Sequence, residues 1–188
     1  MRRIGFVLGL AVMLWGHLAQ AQTVAVGPYY ATPSWDQTIP CTAATNCSRF
    51  VVLSNFSNQA VLDRETGLVW EQAPTANAGF TWTGAFQVCN RKPVGGRMGW
   101  RLPTVSEMGS LFQGAVSLTG GGFLFLETSL PAGHPFSVQS NALFWTATPG
   151  TDAGFPWAYL TEEGPNQASA SILMSVWCVR SGAGPAGS

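Results

Sequence analysis

The apolar positions of this chain come in short runs whose period changes along its length. Phe50-Val51-Val52-Leu53 is a β-branched run of strand type. Ala60-Val61-Leu62-Asp63 and Leu68-Val69-Trp70-Glu71 flank the polar, glycine-ending turn Arg64-Glu65-Thr66-Gly67, which predicts a β-hairpin. The period then lengthens. Trp82, Ala85, Phe86 and Cys89 stand at i, i+3, i+4 and i+7, one helical face, with Thr81 placed to cap it. Pro93 stops this helix and Gly95-Gly96 turns the chain. Val105, Met108, Leu111 and Phe112 make the stripe of a second helix, and core packing is the first role of both stripes.

The approach to the second helix is the most specific stretch. Trp100 is an aromatic anchor, Pro103 favours extended backbone ahead of the helix, and Thr104 and Glu107 have the Thr-x-x-Glu spacing of a capping box. Arg101 is expected to be partly buried and to pair with Glu107 or with Asp63, a structural role also expected of Arg180. From Gln113 to Asn141 the period is lost among Gly120-Gly121-Gly122, Pro131, Gly133 and Pro135, which reads as a long loop region. Three strand-like runs close the chain: Leu143-Phe144-Trp145-Thr146-Ala147, Trp157-Ala158-Tyr159-Leu160 and Ser175-Val176-Trp177-Cys178-Val179-Arg180.

The two ends differ from this middle. Met1-Arg2-Arg3, the apolar run Ile4–Leu14 and Ala19-Gln20-Ala21 have the order of an export signal over residues 1–21, with cleavage before Gln22 and an uncleaved anchor as the alternative. Residues 22–48 read as an extended arm, residues 49–181 as the domain and 182–188 as a frayed tail. Without Arg2 and Arg3, the nine basic side chains become seven against nine acidic ones, a net charge of −2 that argues against nucleic-acid binding. No later stretch is long and apolar enough to span a membrane.

Four cysteines after an export signal imply disulfides in an oxidising compartment, secreted or periplasmic. Three pairings are possible, and the favoured one is Cys41–Cys47 as a local loop with Cys89–Cys178 as a staple from helix to last strand. Closing so long a loop contributes roughly 4–5 kcal/mol in the chain-entropy model. No metal site or cofactor is expected. There is no C-x-x-C pair, His134 is the one histidine after the signal, and Asp152, Glu162 and Glu163 are too few for calcium.

The motifs Asp63-x-x-Thr66-Gly67-Leu68-x-Trp70, Trp82-x-x-Ala85, Cys89, Gly95-Gly96, Trp100-Arg101-Leu102-Pro103-Thr104-x-x-Glu107, Phe144-Trp145-Thr146-Ala147-Thr148 and Cys178-Val179-Arg180 occur in this order over roughly residues 60–181. Their combination resembles the Lcl C-terminal domain family, named for the end domain of a bacterial collagen-like adhesin. The resemblance implies an α+β, C-type-lectin-like fold: a twisted antiparallel sheet, two helices and a long loop region. It also implies glycan binding and, through the adhesin, sulfated glycosaminoglycans and trimers, although this chain has no Gly-X-Y stalk. More distantly, Arg101-Leu102-Pro103-Thr104-x-x-Glu107 looks like formylglycine-generating enzymes.

The function these residues lead one to expect is non-catalytic recognition of a glycan or surface polymer, adhesin-like. The alternative is a structural or interaction protein of the cell envelope, in a pilus, fibre or secretion accessory. An enzyme ranks last, because no nucleophile is paired with a base. Arg91, Lys92 and Arg97 are the basic candidates for a ligand, against the plainer reading of helix-end charge. Trp157 and Tyr159 are the aromatic candidates, against the plainer reading of core.

Overall fold

The computed structural model describes residues 39–41, 47–118 and 124–181. The export signal, most of the arm, Gly120-Gly121-Gly122 and the 182–188 tail lie outside the described residues. The chain is α+β with mainly antiparallel pairing. Strands β1 (Phe50–Val52), β2 (Ala60–Asp63), β3 (Leu68–Glu71) and β11 (Val179–Ser181) form a four-stranded antiparallel sheet in the order β1-β2-β3-β11. The expected hairpin is β2–β3, with Gly67 at φ 68° closing its turn.

A five-stranded sheet has the order β4-β10-β7-β8-β9, from β4 (Thr75–Phe80), β10 (Met174–Val176), β7 (Leu143–Trp145), β8 (Trp157–Leu160) and β9 (Gly164–Gln167). Its pairings are antiparallel except β10 with β7. The run Ser175–Arg180, expected as one strand, is two. Trp177-Cys178 carries the chain from β10 in one sheet to β11 in the other. The break is held by buried groups: the Trp177 indole donates to the Glu71 carbonyl at 2.9 Å, and the Cys178 amide donates to the Glu71 carboxylate at 2.8 Å. A continuous strand would leave one sheet without its edge.

Helix α1 (Trp82–Arg91) has Thr81 accepting the Gly84 amide as its cap. Helix α2 (Val105–Ser110) has the complete Thr104–Glu107 capping box. The stripe predicted for α2 outlasts the helix: Leu111 and Phe112 come after its last turn and still pack in the core. One apolar cluster gathers Ala85, Cys89, Trp100, Leu102 and Trp145 beside α1; the other gathers Trp70, Met108, Phe136, Phe144 and Trp177 beside α2. Both favoured disulfides, Cys41–Cys47 and Cys89–Cys178, are formed. No helix among the described residues is long and apolar enough to cross a membrane.

The expectation of an irregular Gln113–Asn141 segment is corrected. It contains a two-stranded antiparallel hairpin, β5 (Gln113–Leu118) with β6 (Leu124–Ser129), and the loop proper is confined to residues 130–142. Strands β4 and β9 were also unexpected. Their sequences, rich in Ala, Gly, Asn and Gln, carry little strand propensity, so tertiary pairing sets them.

Candidate functional site

The loop from Leu130 to Ala142 is built into the molecule at several points. Phe136 is buried edge-on between Phe50 and Trp177, with ring centroids at 5.0 and 5.1 Å. Gln72, just past β3, holds it twice: its side-chain amide donates to the Pro135 carbonyl at 2.7 Å, and its own carbonyl accepts the Ser137 amide at 2.8 Å. At the far end Ala142 and Thr161 exchange hydrogen bonds of 3.1 Å. Such anchoring fixes the loop backbone, so anything bound there would lose little ordering entropy from it.

Three depressions border this loop. A groove of about 350 Å³ lies where β4 ends and β10 and β7 begin, lined by Gln139, Ser140, Asn141, Ser175, Leu143 and Leu173 among others. On the other side of Gln139 and Ser140, a cavity of about 250 Å³ is lined by Thr128, Ser129, His134, Thr161 and Glu162. The third, about 530 Å³, runs beside β1 and is lined by Phe50, Val51, Val52, Arg64, His134 and Pro135. His134 Nδ1 accepts the Phe136 amide at 3.2 Å, and burial pushes the imidazole pKa below its ordinary value. Both favour the neutral ring at pH 7. Among the described residues no three His, Cys, Asp or Glu side chains come together as a metal site would need.

The sequence candidates are dispersed. Lys92 does not join a free basic cluster. Its ammonium turns inward to pair with the buried Glu71 carboxylate and donates to Thr75 Oγ1 at 2.5 Å. Arg97 is exposed and lies over the Phe56 ring at 4.5 Å, and Arg91 is exposed at the end of α1. Tyr159 takes the plainer of its two readings, core, and is withdrawn as a ligand candidate: it is only 3% exposed, stacked on Phe112 at 4.8 Å, so its ring offers no face to a ligand. Alternation on β8 buries Ala158 and Tyr159 on opposite faces, because this interior strand is covered on both sides, Ala158 by the cluster beside α1 and Tyr159 by the cluster beside α2. Trp157 is partly buried at the start of the same strand.

The structural candidates sit where their chemistry sends them. Trp100 is buried with its indole donating to the Arg97 carbonyl at 2.7 Å, and the Pro103 carbonyl accepts the Ala147 amide at 2.7 Å. Arg101 grips both Glu107 oxygens at 2.7 and 2.8 Å, while Glu107 also accepts the Thr104 amide. The other candidate partner, Asp63, belongs to Arg49 instead, at 2.7 and 2.8 Å. Arg49, which sequence reasoning missed, also donates to the Ser110 carbonyl at 2.6 Å and pairs with Glu65. It therefore ties the β2–β3 hairpin to the end of α2. Nothing in its local sequence signals this, since its partners are 14 and 61 residues away. Gln139, Ser140, Asn141 and Ser175 were missed as individuals. Three of them lie in the Gln113–Asn141 segment that reads from sequence as a long loop region.

Among curated proteins no match is found. The sequence profile of the Lcl C-terminal domain matches residues 59–180, and the chain belongs to that family.

Proposed function

We propose that this chain is an exported, non-catalytic recognition module that binds a glycan or surface polymer through the Leu130–Ala142 loop, on a C-type-lectin-like version of its α+β fold. The observation that carries this reading is a pre-fixed loop presenting uncharged polar side chains between two depressions. Such surfaces suit ligands rich in hydroxyl groups, which need donors and acceptors more than charge. Two disulfides favour an oxidising location, secreted or periplasmic. The nearest nucleophile–base chemistry is poor: His134 has its Nδ1 committed to a backbone amide, and Cys89 and Cys178 are bonded to each other and fully buried.

The test is a glycan array probed with the disulfide-bonded protein recovered from the periplasm of an expression host, with and without chelator. Chelator-insensitive binding to at least one glycan is expected. Binding that disappears with chelator would overturn the metal-free part of the reading.

A second reading, a structural or interaction protein of the cell envelope, is favoured by the outer edge of β1, which pairs with no strand among the described residues. Val51 and Val52 are 41% and 40% exposed there, beside the third depression. An outer edge of this kind accepts a partner strand. An empty array, together with a stable oligomer such as the trimer implied by the family's adhesin, or with co-purifying envelope proteins, would favour this reading.

A further inference from the structure

The groove at the β4, β10 and β7 ends narrows the ligand class, on the assumption that the recognition reading above is right. None of its nine lining residues is charged. Four of them, Gln139, Ser140, Asn141 and Ser175, end in amides or hydroxyls, and none of these side-chain groups makes a hydrogen bond among the described residues. Gln139, Ser140 and Asn141 are exposed and Ser175 is half-buried, so their donors and acceptors are accessible to a ligand lying in the groove.

Apolar surface stands beside them. Leu143 and Leu173 are exposed at the groove, and Leu173 lies over Gly79, where an added Cβ would come within 2.6 Å of the leucine Cβ. Any larger residue at 79 would push Leu173 away. Asn141 has φ 55°, a left-handed conformation that asparagine tolerates better than most residues, and it is exposed at the groove's edge. Gln139 and Ser140 line both this groove and the 250 Å³ cavity next to it, so they form a ridge between two adjoining sites. The groove's 350 Å³ falls at the lower end of the roughly 300–1,000 Å³ of small-ligand pockets.

Meanwhile the basic residues that would serve a sulfated ligand are placed elsewhere. Lys92 is committed to Glu71, and Arg91 and Arg97 line none of the three depressions. We infer that the ridge Gln139–Asn141, with Ser175, Leu143 and Leu173, is the binding site for an uncharged polysaccharide whose chain crosses from one depression to the other. Sugar hydroxyls meet the amides and hydroxyls, and the C–H face of a ring meets the leucines.

The experiment is titration calorimetry of the periplasmically produced, disulfide-bonded protein. Its ligands are a panel of neutral polysaccharides (dextran, mannan, galactan, xylan and chitin oligomers) and dextran sulfate. Each is measured at about 0.1 and 1 M salt, where the screening length falls from roughly 10 to 3 Å. The expected result is salt-independent binding to a neutral chain. Asn141→Gly, which suits the left-handed backbone, and Gln139→Ala should each weaken it about tenfold, the worth of one strong hydrogen bond, with unchanged melting temperature. Arg91→Ala and Arg97→Ala should leave it unaltered.

Binding to dextran sulfate alone, lost at high salt and in the arginine variants, would overturn this inference while leaving the recognition reading intact. Neutral binding that is indifferent to both loop variants would overturn the site. Binding to nothing in the panel would overturn both.

Discussion

The ammonium of Lys92 is directed at a carboxylate that is only 2% exposed, while the lysine side chain itself keeps 27% of its surface. Burial pushes the Glu71 pKa above its ordinary value, opposed by Lys92 and by the Cys178 amide. The folded protein thus holds this proton more tightly than the unfolded chain does. Glu71 consequently favours folding most below pH 4.5, and progressively less as pH rises through its raised folded value. Removing the counter-charge sharpens the contrast. Lys92→Met should cost about 3 kcal/mol at pH 7, the low end for breaking a buried pair because Lys92 is partly exposed. It should cost much less near pH 4, where Glu71 is protonated in either protein. Urea unfolding at the two pH values checks this; an equal loss at both would mean that Lys92 acts by packing alone.

At the scale of elements, the two helices were legible because each announces its start. Thr81 and Thr104 both accept the backbone amide that the capping rules assign them. The Glu107 carboxyl shows how completely α2 is specified. Burial pushes its pKa up, but Arg101 and the Thr104 amide outweigh burial and hold it below the ordinary value. Its sign is opposite to that of Glu71: the contribution is present above pH 4.5 and is lost as pH falls through the lowered folded value. Glu107→Gln keeps an oxygen for the Thr104 amide but loses the charge paired with Arg101, so it should cost up to about 1 kcal/mol at neutral pH. The difference from wild type should shrink on acidification, read as melting temperature against pH. A difference that grows toward acid would contradict the assignment.

Strands were legible only where apolar residues recur. The β2–β3 hairpin alternates around a glycine turn and is found as expected. In contrast β9, Gly-Pro-Asn-Gln, has no apolar residue and exists because β8 offers it an edge. The β5–β6 hairpin is masked in sequence by the glycine run between its strands. The break at Trp177-Cys178 results from the Glu71 hydrogen bonds, which come from 106 and 107 residues away. Long-range polar contacts of this kind leave no local period to read.

At the scale of the whole molecule, the Leu130–Ala142 loop borders both sheets and the end of β6. It was legible as a region, because proline and glycine break its pattern, but not as a chemistry. The individual side chains that face the grooves depend on how Phe136 and Gln72 pin the backbone. The charged and aromatic residues that stand out in sequence, Lys92 and Tyr159, turn inward because the core needs them. The direct measurement is nuclear magnetic resonance mapping on isotope-labelled, oxidised protein, titrated with a short oligomer of the polysaccharide that binds best. Recognition through the loop predicts amide shifts at Gln139–Leu143 and Leu173–Ser175, with the Arg91–Arg97 turn unmoved. Shifts confined to that basic turn would contradict it.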